Sequence, residues 1–227
     1  MIAALKMFYT TVGRKLVMAL TGLFLCLFLL EHLYGNLQLY KMDGGLAFNE
    51  YGEFLVHNIV IRAVEYGLFA AFILHAIDAL FLTLHNRKAR PVRYAVSHQS
   101  GNSSWFSRNM GFTGSVILVF LVVHLKTFFV SHRFLGADAS MAHDVAAAFQ
   151  SNWYAALYLF SMVLLGAHLN HGFQSAFQTL GWNNHKFMKP MKIAGTAFAL
   201  LVMIGFGSFP IMFYFDLFGV ASNILGQ

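Results

Sequence analysis

Along this chain the apolar residues come in long blocks separated by short polar stretches. They do not alternate at the two-residue or 3.6-residue period of half-buried soluble elements. About twenty consecutive apolar residues suffice to cross a bilayer as a helix. Five blocks meet that length, at roughly 14–39, 59–84, 110–130, 153–178 and 193–215. The pattern predicts an all-α polytopic membrane protein, a single domain of five transmembrane helices. No soluble domain or internal repeat is visible. Between the first two blocks, Gln38 to Asn58 carries Asp43, Glu50 and Glu53 interleaved with Phe48, Tyr51, Phe54 and Leu55. That mixture predicts a short amphipathic stretch lying at the membrane interface. The rest of the chain is organised around the fourth block, which opens at Trp153.

Composition agrees with the blocks. Of 227 residues, 58% are hydrophobic and 11% charged, against about 25% charged in a soluble domain. The net charge of +6 is therefore read loop by loop and does not imply nucleic acid. Lys6, Arg14 and Lys15, the segment 85–108 with Arg87, Lys88, Arg90, Arg93 and Arg108, and Lys186, Lys189 and Lys192 fall on one side of a five-span chain. By the positive-inside rule that side is the cytoplasm, with the N-terminus, and the C-terminus lies outside. Most acidic residues, including Asp43, Glu50, Glu53, Asp138, Asp144 and Asp216, fall on the outer side. The single cysteine, Cys26, lies inside an apolar block, which excludes a disulfide framework and Cys-ligated zinc or iron–sulfur sites. Basic residues before the first block imitate a signal peptide, but no small-x-small cleavage site follows, so an uncleaved first helix is expected.

The chemistry lies in the histidines. Four blocks each carry one deep histidine: His32, His75, His124 and His168. An ionisable residue at that depth is costly and marks a functional site. At 1.5 Å per residue, His32 and His124 lie roughly 25 and 20 Å from the inner face, and His75 and His168 each about 14 Å from it. Matching depths pairs His32 with His124 and His75 with His168, giving an outer and an inner centre. Two imidazoles do not complete a zinc site, which takes four ligands. They do complete a haem iron, which then transfers electrons and has no open position for oxygen. Facing helices of a bundle build such sites. His171, three residues beyond His168, could replace it as ligand or bond a haem propionate. Arg62 is a propionate candidate for the outer haem, and Arg14, Lys15 or Arg93 for the inner one.

With Glu31-His32-Leu33-Tyr34-Gly35-Asn36, His75, Val123-His124-Leu125 and His168-Leu169-Asn170-His171-Gly172 in this order, nearly the whole chain resembles one family. It is the cytochrome b subunit of succinate dehydrogenase/fumarate reductase, in its single-polypeptide, five-helix, di-haem form. The resemblance implies two haem b groups and favours His168 over His171. It also implies a flavoprotein and an iron–sulfur subunit on the cytoplasmic face, and electron exchange with a quinone, usually menaquinone. Where some fumarate reductases carry a proton-path glutamate, this chain has Gly166. A quinone site is expected on the outer side, beside the connection from Gln38 to Asn58. Its proton acceptor is Glu53, which the resemblance favours over Glu50, half-buried by Tyr51, Phe54 and Leu55. Two other readings compete: a cytochrome b anchor of another quinone-linked dehydrogenase, and a non-haem transporter with a histidine relay.

Overall fold

The computed structural model describes residues 10–88, 105–135 and 140–226. Among them five helices are long and apolar enough to cross a membrane. The first, α1 (Thr11–Leu37), starts where the Thr10 hydroxyl accepts a hydrogen bond from Gly13 N at 3.0 Å. A 3₁₀ turn, Gln38–Lys41, extends it. The chain then reverses through Met42, Gly44 and Gly45, all at positive φ. Gly45 is required on two counts: its φ is +83°, and a Cβ there would collide with that of Ala142. The stretch between the first two spans follows as a helix, α2 (Leu46–His57). The second span is α3 (Ile59–Lys88), opened by the Asn58 side chain accepting from Val60 N at 3.0 Å.

The third span starts as α4 (Met110–His124), continues as a π-helical turn, Leu125–Val130, and finishes in the helical turn Ser131–Phe134. A short helix, α5 (Met141–Phe149), leads into the fourth span, α6 (Asn152–Thr179). The fifth, α7 (His185–Tyr214), contains Pro190 and Pro210. After it the chain turns back through Asp216, Phe218 and Gly219 at positive φ into α8 (Val220–Leu225). The Asp216 carboxylate accepts from the backbone N–H groups of Ala221 and Ser222 at 2.8 and 3.1 Å. These bonds to Ser222 and Ala221 hold its pKa below the usual carboxylate value.

The spans alternate in direction, and α6 is the most buried of them. It packs against α1, α4 and α7. The helix α3 leans on α1 and meets α4 much more sparsely. Four helices, α1, α3, α4 and α6, therefore surround a space, and α7 packs along α6 and reaches that space with Phe206 and Phe209. Side chains fill the bundle at the end where α1 stops, here the far end. Phe149, Tyr158, Phe206, Phe209 and Phe213 make the buried aromatic core there. At Gly166 a Cβ would come within 3.0 Å of Met203 Cβ and 3.1 Å of its Sδ. That close approach of α6 to α7 gives the glycine a packing reason, and a glutamate does not fit in its place.

Candidate functional site

The four deep histidines line one cavity of about 1870 Å³. That is roughly twice the upper end of the 300–1,000 Å³ that encloses one drug-sized ligand. Its walls are mostly Leu, Phe, Ala and Gly from α1, α3, α4 and α6. The rings come together in pairs across it. His32 and His124 have ring centroids 6.0 Å apart, with planes at 89°. His75 and His168 have theirs 6.4 Å apart, with planes at 68°. These are the two pairs that depth along the helices matched.

The separations are informative. Two imidazoles that bind one metal from opposite sides, each about 2.0–2.1 Å from it, place their ring centres roughly 6 Å apart. Both pairs have that separation. Among the described residues no three His, Cys, Asp or Glu side chains cluster as a metal site would need. A metal between either pair would thus take its remaining ligands from something other than protein side chains, as a haem iron does from its porphyrin. His124 Nδ1 is buried with no hydrogen-bond partner, so no hydroxyl holds that ring.

The pair nearer the far end is walled by aromatic rings. Phe28 stacks on His32 at 5.2 Å and Phe206 lies tilted at 5.5 Å. Phe120 and Phe128 flank His124 at 5.6 and 5.2 Å. Phe128 sits in the π-helical turn that begins directly after His124; such turns recur at functional sites because the extra residue re-aims the side chains that follow.

The other pair is held by two hydroxyls that the sequence reading did not single out. Thr21 Oγ1 lies 3.2 Å from His75 Nδ1, and Thr113 Oγ1 lies 3.3 Å from His168 Nδ1. A glycine follows each threonine and gives the ring room. A Cβ at Gly22 would be 3.2 Å from His75 Cε1, and one at Gly114 would be 3.4 Å from His168 Cε1. A sequence signal for this exists. Thr21, Gly22, Phe28 and His32 reappear as Thr113, Gly114, Phe120 and His124, each at the same spacing along the chain. These four positions form a local motif shared by two helices, set among residues that are mostly apolar and otherwise differ.

The other expected site residues are placed unevenly. Lys15, Arg62 and His171 line the cavity. Arg62 already pairs with Glu65 at 2.8 Å. Arg14 does not line the cavity; it binds Asp78 at 3.1 Å and lies 4.4 Å above the Phe81 ring, so its charge is engaged elsewhere. Arg93 lies outside the described residues. Glu50 and Glu53 are exposed, and the half-buried setting expected of Glu53 is corrected. The reason is the rotation of α2, which turns Tyr51 inward and leaves Phe54 58% exposed. Tyr51 donates to Glu31 at 2.9 Å. Burial, then that hydrogen bond and the Glu31 charge, push the Tyr51 phenol up to about 12. Glu31 and Glu65 are the carboxylates on the cavity wall. His132 lines the cavity too and pairs with Asp144 at 2.9 Å. Set against protein-family models, curated proteins and solved structures, the chain matches none of them.

Proposed function

We propose that the chain is the di-haem membrane anchor of a succinate:quinone or quinol:fumarate oxidoreductase, carrying electrons between an iron–sulfur subunit and a quinone. The observation that carries this reading is the pair of facing imidazole couples, 6.0 and 6.4 Å between ring centroids, across one apolar cavity. His32 and His124 would hold one haem b, and His75 and His168 the other. A haem held by two imidazoles supplies one-electron transfer without oxygen chemistry. The chain's own residues do the rest. Phe28, Phe120, Phe128 and Phe206 keep water from the couple at the far end. Among the expected propionate partners, Lys15 and His171 line one end of the cavity, and Arg62, paired with Glu65, lines the other.

Partners and orientation follow from the resemblance and from charge. The basic side faces the cytoplasm of a cell (inner) membrane and carries the flavoprotein and iron–sulfur subunits. The quinone, menaquinone in this form of the family, is met on the outer side near α2, where Glu53, or else Glu50, takes the proton. Both carboxylates are exposed, within reach of water. Purification of the chain from membranes tests the reading. A reduced haem b band, with a flavoprotein and an iron–sulfur protein coeluting, supports it. Absence of the band discards it. A band with other dehydrogenase subunits reassigns the chain to a different quinone-linked complex.

A further inference from the structure

The two threonines at the near end of the cavity do more than fill space. Thr21 and Thr113 are 9% and 1% exposed, so their hydroxyls cannot rely on water. Each hydroxyl has one proton to give. Thr21 gives it to the backbone of its own helix, 2.7 Å from Val17 O and 3.2 Å from Met18 O. Thr113 does the same, 3.1 Å from Asn109 O and 3.2 Å from Met110 O. With that proton committed, either oxygen can only accept from the imidazole that faces it. That arrangement calls for the ring proton on Nδ1 and leaves Nε2 its lone pair; the opposite tautomer would require each hydroxyl to turn its proton from the backbone to the ring.

We infer that Thr21 and Thr113 are a matched pair of positioning residues that fix the tautomer and ring orientation of His75 and His168, presenting Nε2 to a metal-bearing cofactor between them. This deepens the reading of that histidine couple as haem ligands and rests on it. Each threonine sits on a neighbouring helix, 54 residues from its histidine in one case and 55 in the other. The arrangement is thus built twice, once from α1 and α3 and once from α4 and α6. The adjacent glycines complete it: with no Cβ at Gly22 or Gly114, each ring rests against bare backbone. A hydroxyl that accepts from Nδ1–H raises the basicity of the metal-binding nitrogen, and outer partners of this kind are typically worth 10–100-fold in metal affinity. The other couple lacks the device at His124, whose Nδ1 is without a partner.

The test uses the purified full-length chain with its haem and compares Thr21→Val and Thr113→Val with Thr21→Ser and Thr113→Ser. Valine keeps the shape and removes the acceptor; serine keeps the acceptor. The expected result is a higher midpoint potential and roughly 10–100-fold weaker retention of the haem held by His75 and His168. The other haem should keep its potential, and serine should restore both values. Unchanged potential and retention in both valine variants would overturn the proposal. Nitrogen NMR of histidine-labelled wild-type protein separates this failure from failure of the haem reading, since it reports the tautomer whether or not haem is present. Protons on Nδ1 of His75 and His168 in a chain without haem would keep the positioning role and discard the haem. Protons on Nε2 would discard the positioning role.

Discussion

At the scale of single residues, the assignment turns on which imidazoles face each other. His168 stands 6.4 Å from His75, whereas His171, one turn along the same helix, lines the cavity without forming part of either couple. His168→Ala is therefore expected to lose one haem, and His171→Ala to keep both with a changed potential for the nearer one; haem content per chain decides between them. The four histidines were legible in the sequence because a titratable group in an apolar block has few explanations. The two threonines were not. A threonine in such a block ordinarily bonds back to its own helix, as both do here, and only the packing of two helices reveals the second partner. Arg14 misled for a related reason. Spacing puts it near the inner histidines, but Asp78, 64 residues further along the chain, takes its charge at 3.1 Å.

At the scale of elements, span positions were legible and their ends were not. The first span reaches Thr11–Lys41 and the second Ile59–Lys88, beyond the apolar blocks, because side-chain caps and polar last turns continue a helix that hydropathy has ceased to mark. The π-helical turn after His124 has no hydropathy signature at all. Two predictions belong here. Gly166→Glu should part α6 from α7, since a Cβ alone would come within 3.0 Å of Met203. A charge at the middle of a span costs about 3 kcal/mol or more, and overpacking adds about 1–3 kcal/mol; thermal loss of haem from the detergent-purified variant measures the sum. On α2, Glu53→Gln should lower quinone-linked turnover while both haems and succinate oxidation with an artificial acceptor persist. Full turnover in that variant with loss in Glu50→Gln would move the role to Glu50. Full turnover in both would remove quinone chemistry from α2.

At the scale of the whole molecule, the ring of α1, α3, α4 and α6 stacks the two histidine couples along the bundle. On α1 and α4 a threonine touches one couple and a histidine three turns later joins the other, so the couples lie roughly 16 Å apart along the helix axes. The basic side of the bundle should carry the hydrophilic subunits. Reversing Arg87 and Lys88 at the end of α3, together with Arg90 and Arg93 further along the sequence, is expected to release those subunits into the soluble fraction while haem stays in the membrane. An intact complex after reversal would leave these charges with orientation as their role.

The central claim is that four histidines make two centres in one particular pairing. Haem per chain, measured on purified double variants, tests it most directly. His32→Ala/His124→Ala and His75→Ala/His168→Ala each remove both ligands of one centre and should each retain one haem. His32→Ala/His75→Ala breaks both centres and should retain none. One haem in that cross-pair variant, with none in the first two, would contradict the pairing, and no haem in the wild-type chain would contradict the account as a whole.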